Sequence, residues 1–346
     1  MREEPGIVVA GAGAFGTAIA QALARAGHAV ALADAAPSAA NASGVAAGML
    51  APAFESLFDE AAHGLFDLLR RARDLWPGLA EEIGLALARD GAMAIGSQQQ
   101  AEQWAALLAA AGAASRVERA DGQWAAFTPE DWRLDPAAAL AALEQDAVRR
   151  GARRVHARVT GFGDGMVRFD AAPPVAARLL VLATGADASL RHLAPELGAL
   201  TPIKGHILRA AGRFTAGPVL RAPGVYLCRT GSEAVLGATM EPGLADEAVD
   251  AAVADRLLER AAPLLSGLGE AHWRPAVGVR AATPDGLPMV GPSRTPGVIL
   301  AVGARRNGWL LAPLVARLAR DLAEGRPADP LARRFDPARF SAAIPR

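Results

Sequence analysis

Gly6-Ile7-Val8-Val9-Ala10-Gly11-Ala12-Gly13-Ala14-Phe15-Gly16, read together with Asp34, decides the fold. Residues 6–10 form a short apolar run of the kind a fully buried strand needs, and the glycines that follow break it. A helix is predicted from about Thr17 to Ala26, ended by Gly27, with a second strand over His28 to Asp34. Strand, glycine turn, helix and strand in that order open a doubly wound α/β sheet. The glycines serve different ends. Gly11 permits the tight turn, Gly13 lets backbone approach a pyrophosphate, and Gly16 lets helix and strand pack closely. The helix N-terminus adds amide donors and the positive end of its dipole. Asp34 closes the second strand at close to the ~20-residue spacing expected of an acid that binds ribose hydroxyls. It would repel a 2′-phosphate, which leaves FAD and NAD as candidates from this end of the chain.

The far end separates the two. A buried strand, Leu179-Leu180-Val181-Leu182, runs into the small turn Ala183-Thr184-Gly185, and a later strand, Val298 to Val302, runs into Gly303-Ala304-Arg305-Arg306-Asn307-Gly308 and a helix to Glu324. A nicotinamide dehydrogenase has little use for this second glycine turn. A flavin enzyme does, because several backbone segments must approach its ribityl chain and ring, and helix amides near the flavin N1–C2 carbonyl hold charge that develops on reduction. Two arginines stand out beside these turns. Arg280 lies between Val277-Gly278-Val279 and Ala281-Ala282, an apolar setting that is costly for an unpaired cation. Its planar fork can take a carboxylate through two hydrogen bonds, which lysine cannot copy. Arg306 is the second candidate cation, with Arg305 beside it able to hold either role.

Between these ends, helices are expected over Leu65 to Ile83 with a break at Trp76-Pro77, over Gln98 to Ala114, from the Asp135-Pro136 cap to Arg150, and over Asp246 to Leu265 with a break at Pro263. Asn41 to Pro52 reads as a loop or tight helix start, Val155 to Asp170 as a strand pair around Gly163-Asp164-Gly165, and Pro202 to Met240 as strand-rich. The expected architecture is α/β: a Rossmann-like FAD-binding domain (1–80, 135–200, 276–346) interleaved with a strand-rich α+β substrate domain (81–134, 201–275).

Composition narrows the classes. The 346 residues exceed what one core usually holds, and 52% hydrophobic with 21% charged residues suits a globular chain. Zero formal net charge gives no global field for nucleic acid or an anionic membrane. Cys228 stands alone, so no disulfide within the chain and no cysteine metal site is expected, which fits a reducing cytoplasm. The six histidines show no metal spacing. Acids in Met1-Arg2-Glu3-Glu4-Pro5 stand where a secretory signal has bases, and the apolar stretch Trp104 to Ala114 is shorter than the ~20 residues of a membrane span.

The chain resembles the glycine-oxidase branch of the D-amino-acid oxidase family of flavoproteins, the branch that serves thiamine synthesis. The resemblance rests on Gly11 to Gly16, Ser43 to Pro52, Pro202-Ile203-Lys204-Gly205, Tyr226, Val235 to Met240, Val277 to Gly291 and Arg306 to Pro313. It implies FAD as cofactor, contacted by Ala14 and Phe15 in the fingerprint, by Asp34 and Ala35 at the ribose, and by Ala42, Ser43, Ala47, Gly48 and Met49 along the pyrophosphate and flavin. Val159 would meet the adenine side through its backbone, and Ala304, Arg305, Arg306, Asn307, Gly308, Trp309 and Leu310 would wrap the flavin edge. It implies Arg280 as the substrate-carboxylate arginine, Arg306 as a second pocket cation, and Tyr226 and Met240 as pocket walls. The expected partners are a small amino acid or amine and molecular oxygen, with no metal; a homo-oligomer is compatible. A dehydrogenase passing electrons to a quinone or carrier and a non-catalytic flavin-binding subunit are the alternatives. Where the family commonly has a His and an aromatic after the glycine turn, and Pro after the carboxylate arginine, this chain has Ala304, Arg305 and Ala281.

Overall fold

Alternate residues of the first strand go to opposite faces of a six-stranded sheet, and this fixes the layers of one half of the protein. The computed structural model describes residues 6–120, 122–265, 271–327 and 329–340; the acidic start at residues 1–5 lies outside them. Ile7–Ala10 sits centrally, paired in parallel with Val30–Ala33 on one side and Leu179–Leu182 on the other. Arg153–Val155 and Val298–Val302 extend the sheet in parallel, and Met289–Pro292 closes one edge antiparallel. Ile7, Val9, Val30, Leu32 and Val181 pack under the helices Ala14–Arg25, Pro136–Arg149 and Gly308–Ala323. Val8, Ala10, Ala31, Leu180 and Leu182 pack instead against a small antiparallel sheet that supplies Val159 and Val167. Near-continuous apolar strands are what burial on both faces requires.

The second half is a nine-stranded sheet. Its spine is the long strand Thr201–Ala211, paired antiparallel along one side with Arg274–Ala282 and on the other with Glu233–Gly237 and Glu241–Pro242. Val225–Arg229, Val219–Ala222, Ala92–Gly96, Gln123–Thr128 and Arg116–Ala120 continue it outward. The boundary expected at 275/276 cuts a strand: Arg274–Ala282 stays paired with the spine through Ala282 opposite Thr201. Each sheet therefore needs chain from beyond that boundary.

Several element boundaries differ from those expected. The first helix begins at Ala14, because Gly13 is its N-cap and the glycine turn is already part of the helix entry. The 65–83 segment does break where expected, into Phe66–Arg73 and Trp76–Ile83. The helix expected from Asp246 spans Ala251–Arg260, because the Asp250 side chain caps it through Ala252 and Val253. Asp135 accepts from Ala138 N–H and Pro136 opens the next helix, as the Asp-Pro pair predicted. The strand pair near 155–170 has a third member, Val175–Ala176. Among the described residues, no helix is long and apolar enough to cross a membrane.

Candidate active site

Two adjoining cavities lie between the two sheets, of about 600 Å³ and 820 Å³, and they share Ala42, Ala46, Arg280, Arg306 and Trp309 as wall. The smaller one is built around the fingerprint. Gly11 has φ +101°, and a Cβ there would stand 2.3 Å from the Ala183 carbonyl oxygen, so only glycine fits. The helix that follows has no side-chain cap, since Gly13 has no side chain to close it. The loop beside it is tied back to the turn: Ala14 N–H donates to Ser43 Oγ (2.9 Å), and Asn41 Nδ2 donates to the Ala12 carbonyl (3.3 Å). The Ala12 and Ala36 N–H groups donate to opposite oxygens of Asp34 (2.8 and 2.9 Å), which fixes its carboxylate at the cavity edge.

A second uncapped helix end faces the same space. Asn307 precedes the helix Gly308–Ala323 without a capping side-chain bond, and Gly308 lines the smaller cavity. Two helix N-termini whose own N-cap residues make no side-chain bond and a fixed carboxylate fit an FAD: an anionic pyrophosphate at one helix, ribose hydroxyls at Asp34, and the electron-rich edge of a flavin at the other. Of the residues expected on the cofactor, Gly11, Gly13, Ala14, Phe15, Asp34, Ala42, Ser43, Ala304, Arg305, Arg306, Gly308 and Trp309 line the smaller cavity, and Ala47, Gly48, Met49 and Asn307 the larger. Four line neither. Gly16 packs against the Gly11 carbonyl, Ala35 is an exposed flank of Asp34, Val159 is buried against the far face of the parallel sheet, and Leu310 belongs to the helix core.

The larger cavity is floored by the spine strand and its neighbours. Arg280 stands opposite Ile203, and its guanidinium lies flat over Gly205, where a Cβ would meet Nη1 at 2.5 Å and Nη2 at 2.7 Å. Its hydrogen bonds go to the Thr239 carbonyl (3.3 Å) and the Met240 sulfur (3.2 Å), and no ion pair to it occurs among the described residues. Burial, reinforced by the nearby Arg306 and Arg305 cations, pulls its pKa below the usual arginine value. An arginine does not deprotonate in this range, so the arrangement favours arrival of an anion. Tyr226 lies over Gly237 in the same manner. Burial pushes its phenol up to about 12, so it stays a neutral donor.

From sequence, Arg306 is the second pocket cation with Arg305 able to take its place; the structure gives the two different partners. Arg305, at φ +49°, turns its side chain onto the buried Asp59 carboxylate, and its N–H donates to the Ala281 carbonyl (2.8 Å). Arg306 faces both cavities and pairs with Glu55 (Nε to Oε2, 3.1 Å). Glu55 also pairs with Arg221 (2.9 Å), with both side chains 5% exposed. Burial alone would raise the Glu55 pKa, but Arg306 and Arg221 outweigh it and hold the carboxyl below its ordinary value. Glu55, Asp59 and Arg221 were not found from sequence. Glu55 and Arg221 are 166 residues apart, and an isolated acid in Pro52-Ala53-Phe54-Glu55 carries no sign of its partner.

Lys204, the one lysine, reaches out to Asp246 (2.6 Å), and His206 Nε2 accepts from Asp250 N–H (2.9 Å) while its other nitrogen bonds Glu241. Both residues hold the 241–250 segment beside the larger cavity.

Gly205→Ala isolates the role of the Arg280 platform. The Arg280 side chain must move by the better part of an ångström to clear the new methyl, so affinity for a small carboxylate should fall roughly tenfold, a loss of ~1.4 kcal/mol. FAD content should be unchanged. Titration of the holoprotein with acetate or a small amino acid checks this; wild-type affinity would mean that the guanidinium does not need that platform.

The fold agrees with comparisons to known proteins. The family described as DAO: FAD dependent oxidoreductase matches residues 6–322. The chain is 30% identical over 354 residues to a glycine oxidase of Geobacillus kaustophilus, covering 92% of each. It is 31% identical over 331 residues to the tRNA 5-methylaminomethyl-2-thiouridine biosynthesis bifunctional protein of Maricaulis maris, covering 93% of this chain and 52% of that longer one. The crystal structure of glycine oxidase from Geobacillus kaustophilus superimposes with a TM-score of 0.84 at 27% identity, covering 99% of this chain and 98% of that one.

Proposed function

The chain belongs to the DAO family of FAD-dependent oxidoreductases, and we propose that it is an amino-acid oxidase of the glycine-oxidase type acting on a small amino acid or amine in the cytoplasm. The observation that carries this reading is Arg280: a half-buried guanidinium without an acidic partner among the described residues, at the wall shared by the cofactor cavity and the larger one. Bound FAD supplies the acceptor for the hydride that leaves the substrate α-carbon, with oxygen as terminal acceptor and hydrogen peroxide and an imine as products.

The chain's own contribution is binding and orientation. Arg280 takes the carboxylate through both guanidinium arms, and the Tyr226 hydroxyl, which makes no hydrogen bond among the described residues, is a second donor to it. Holding the carboxylate in this way fixes the α-carbon relative to the cofactor cavity, the kind of positioning that contributes most when the geometry is near-reactive. Val45, Met49, Phe58, Ala94 and Trp104 give the cavity an apolar side that keeps water from the reacting carbon. Neither carboxylate lining the cavity is free to act as a general base: Glu55 is engaged by two arginines and held anionic by them, and Glu241 is engaged by His206 and Thr239. The substrate amine therefore enters neutral, and rate should follow deprotonation of the substrate's own ammonium. The imine hydrolyses or feeds thiazole formation for thiamine.

Oxygen uptake and peroxide formation test the reading. Protein that releases FAD on denaturation should consume oxygen with glycine, sarcosine or D-alanine and yield peroxide in equal amount. Reduction by these compounds without oxygen uptake would make the protein a dehydrogenase instead.

A further inference from the structure

The larger cavity carries more positive charge than a single carboxylate can use. Five arginines line it: Arg221, Arg256, Arg260, Arg280 and Arg306. Its acids are Glu55 and Glu241. Glu55 is engaged by Arg221 and Arg306, and Glu241 by His206 and Thr239. Arg280, Arg256 and Arg260 are left without an acid, and no ion pair to any of them occurs among the described residues. At about 820 Å³, the space also exceeds what glycine, which has no side chain, would occupy beside a flavin ring.

Arg256 and Arg260 are exposed, yet both line the cavity wall. Both stand on the helix Ala251–Arg260, whose rotation is fixed by Ala254 and Leu257, buried in the second sheet's core. With that face turned inward, Val253, Arg256 and Arg260, spaced three and four apart, share the adjoining edge, and all three line the cavity. Asp250 caps the helix start, and His206 holds Asp250 through its N–H, so the helix is anchored from the spine strand. Gly224, at the turn between Val219–Ala222 and Val225–Arg229, lies beside Arg260. A Cβ there would stand 3.4 Å from Arg260 Nη1, at the near limit of ordinary van der Waals contact.

We infer that Arg256 and Arg260 form a second anion subsite at the outer end of the cavity, so that the preferred substrate is an amino acid whose side chain or nitrogen substituent ends in a second carboxylate. This rests on the reading of Arg280 as the first carboxylate site. Arg280 binds the α-carboxylate, the apolar wall takes the intervening carbons, and the outer pair takes the distal acid. Two charge-assisted contacts at a partly exposed site are together worth about tenfold in affinity.

Calorimetric titration of the FAD-loaded protein with succinate, glutarate and adipate, against butyrate as the single-carboxylate probe, measures the subsite without turnover. Arg256→Ala/Arg260→Ala, which alters no residue assigned to the first carboxylate, is compared with wild type for binding and for oxidation of glycine and iminodiacetate. At least one diacid should bind wild type about tenfold more tightly than butyrate, and this preference should fall to within about twofold in the double variant. Iminodiacetate oxidation should lose the same factor in kcat/KM, with glycine unchanged. Equal binding of diacids and butyrate by wild type, or a preference that survives in the double variant, overturns the subsite. If glycine is oxidised in that case, the amino-acid-oxidase reading stands by itself. If the diacid preference is present and lost as expected but no amino acid is oxidised, the subsite stands and the reaction assigned to it fails.

Discussion

Arg280→Ala is expected to lower kcat/KM for a small amino acid by about 30-fold to ~3,000-fold, corresponding to the ~2–5 kcal/mol that follows loss of one member of a buried charge pair. The guanidinium lies over Gly205, and no acid among the described residues pairs with it. Truncation removes the charge and both donors at this point of the wall and leaves the incoming carboxylate to Tyr226 and the more distant pull of Arg306. Arg280→Lys should fall between, because a point charge on a flexible stem cannot reproduce the planar fork. Loss should appear in the rate of flavin reduction as well as in apparent affinity, since the carboxylate contact sets where the α-carbon lies. Retained FAD in both variants would show that the effect is on substrate. Near wild-type reduction at low substrate in Arg280→Ala would move the carboxylate to Arg306, the other cation on the shared wall.

Gly11→Ala should abolish FAD loading. A methyl there meets the Ala183 carbonyl at 2.3 Å and its carbon at 2.8 Å, and φ of +101° is itself unfavourable for alanine. Neither side can give way easily: Gly11 N–H bonds the Ala33 carbonyl and Ala183 N–H bonds the Ala10 carbonyl, both at 2.8 Å. Strain of ~1–3 kcal/mol for the backbone and ~1–3 kcal/mol for overpacking add at one point. That is a sizeable part of the ~5–15 kcal/mol by which domains are stable. The helix entry that faces the pyrophosphate is displaced as well. Gly27→Ala is the matched control, with φ +87° and nothing within 4 Å of the added carbon. It should show the backbone strain alone: lower thermal stability with normal FAD content. Equal FAD content in both variants would remove the Gly11 turn from cofactor binding.

What could be read from sequence was local. The fingerprint announces itself because its glycines, strand and acid fall within one short unit, and Arg280 because its immediate neighbours are apolar. Asp135-Pro136 specifies a helix start for the same reason. What could not be read was the partner of a side chain across the fold. Arg305 and Arg306 are adjacent, so only the left-handed backbone at Arg305, which turns one toward Asp59 and the other toward Glu55, distinguishes them. Glu55 and Arg221 meet only after two distant segments pack. The boundary placed at 275/276 failed because strand composition does not say which sheet a strand joins. Arg274–Ala282 is held in the second sheet by its pairing with the spine, although the chain beyond it returns to the first. Val159, expected to meet the adenine side through its backbone, packs its side chain into the core on the far face of the parallel sheet.

Whether an amino acid held by its carboxylate at Arg280 is oxidised in the cavity next to the cofactor is tested most directly by anaerobic mixing. FAD-loaded protein is combined with glycine, sarcosine and iminodiacetate, and the flavin absorbance is followed. The yellow colour should bleach with at least one of them, at a rate that saturates with concentration, and return when oxygen is admitted. Unbleached flavin with all three, in protein that carries a full complement of FAD, would contradict that chemistry.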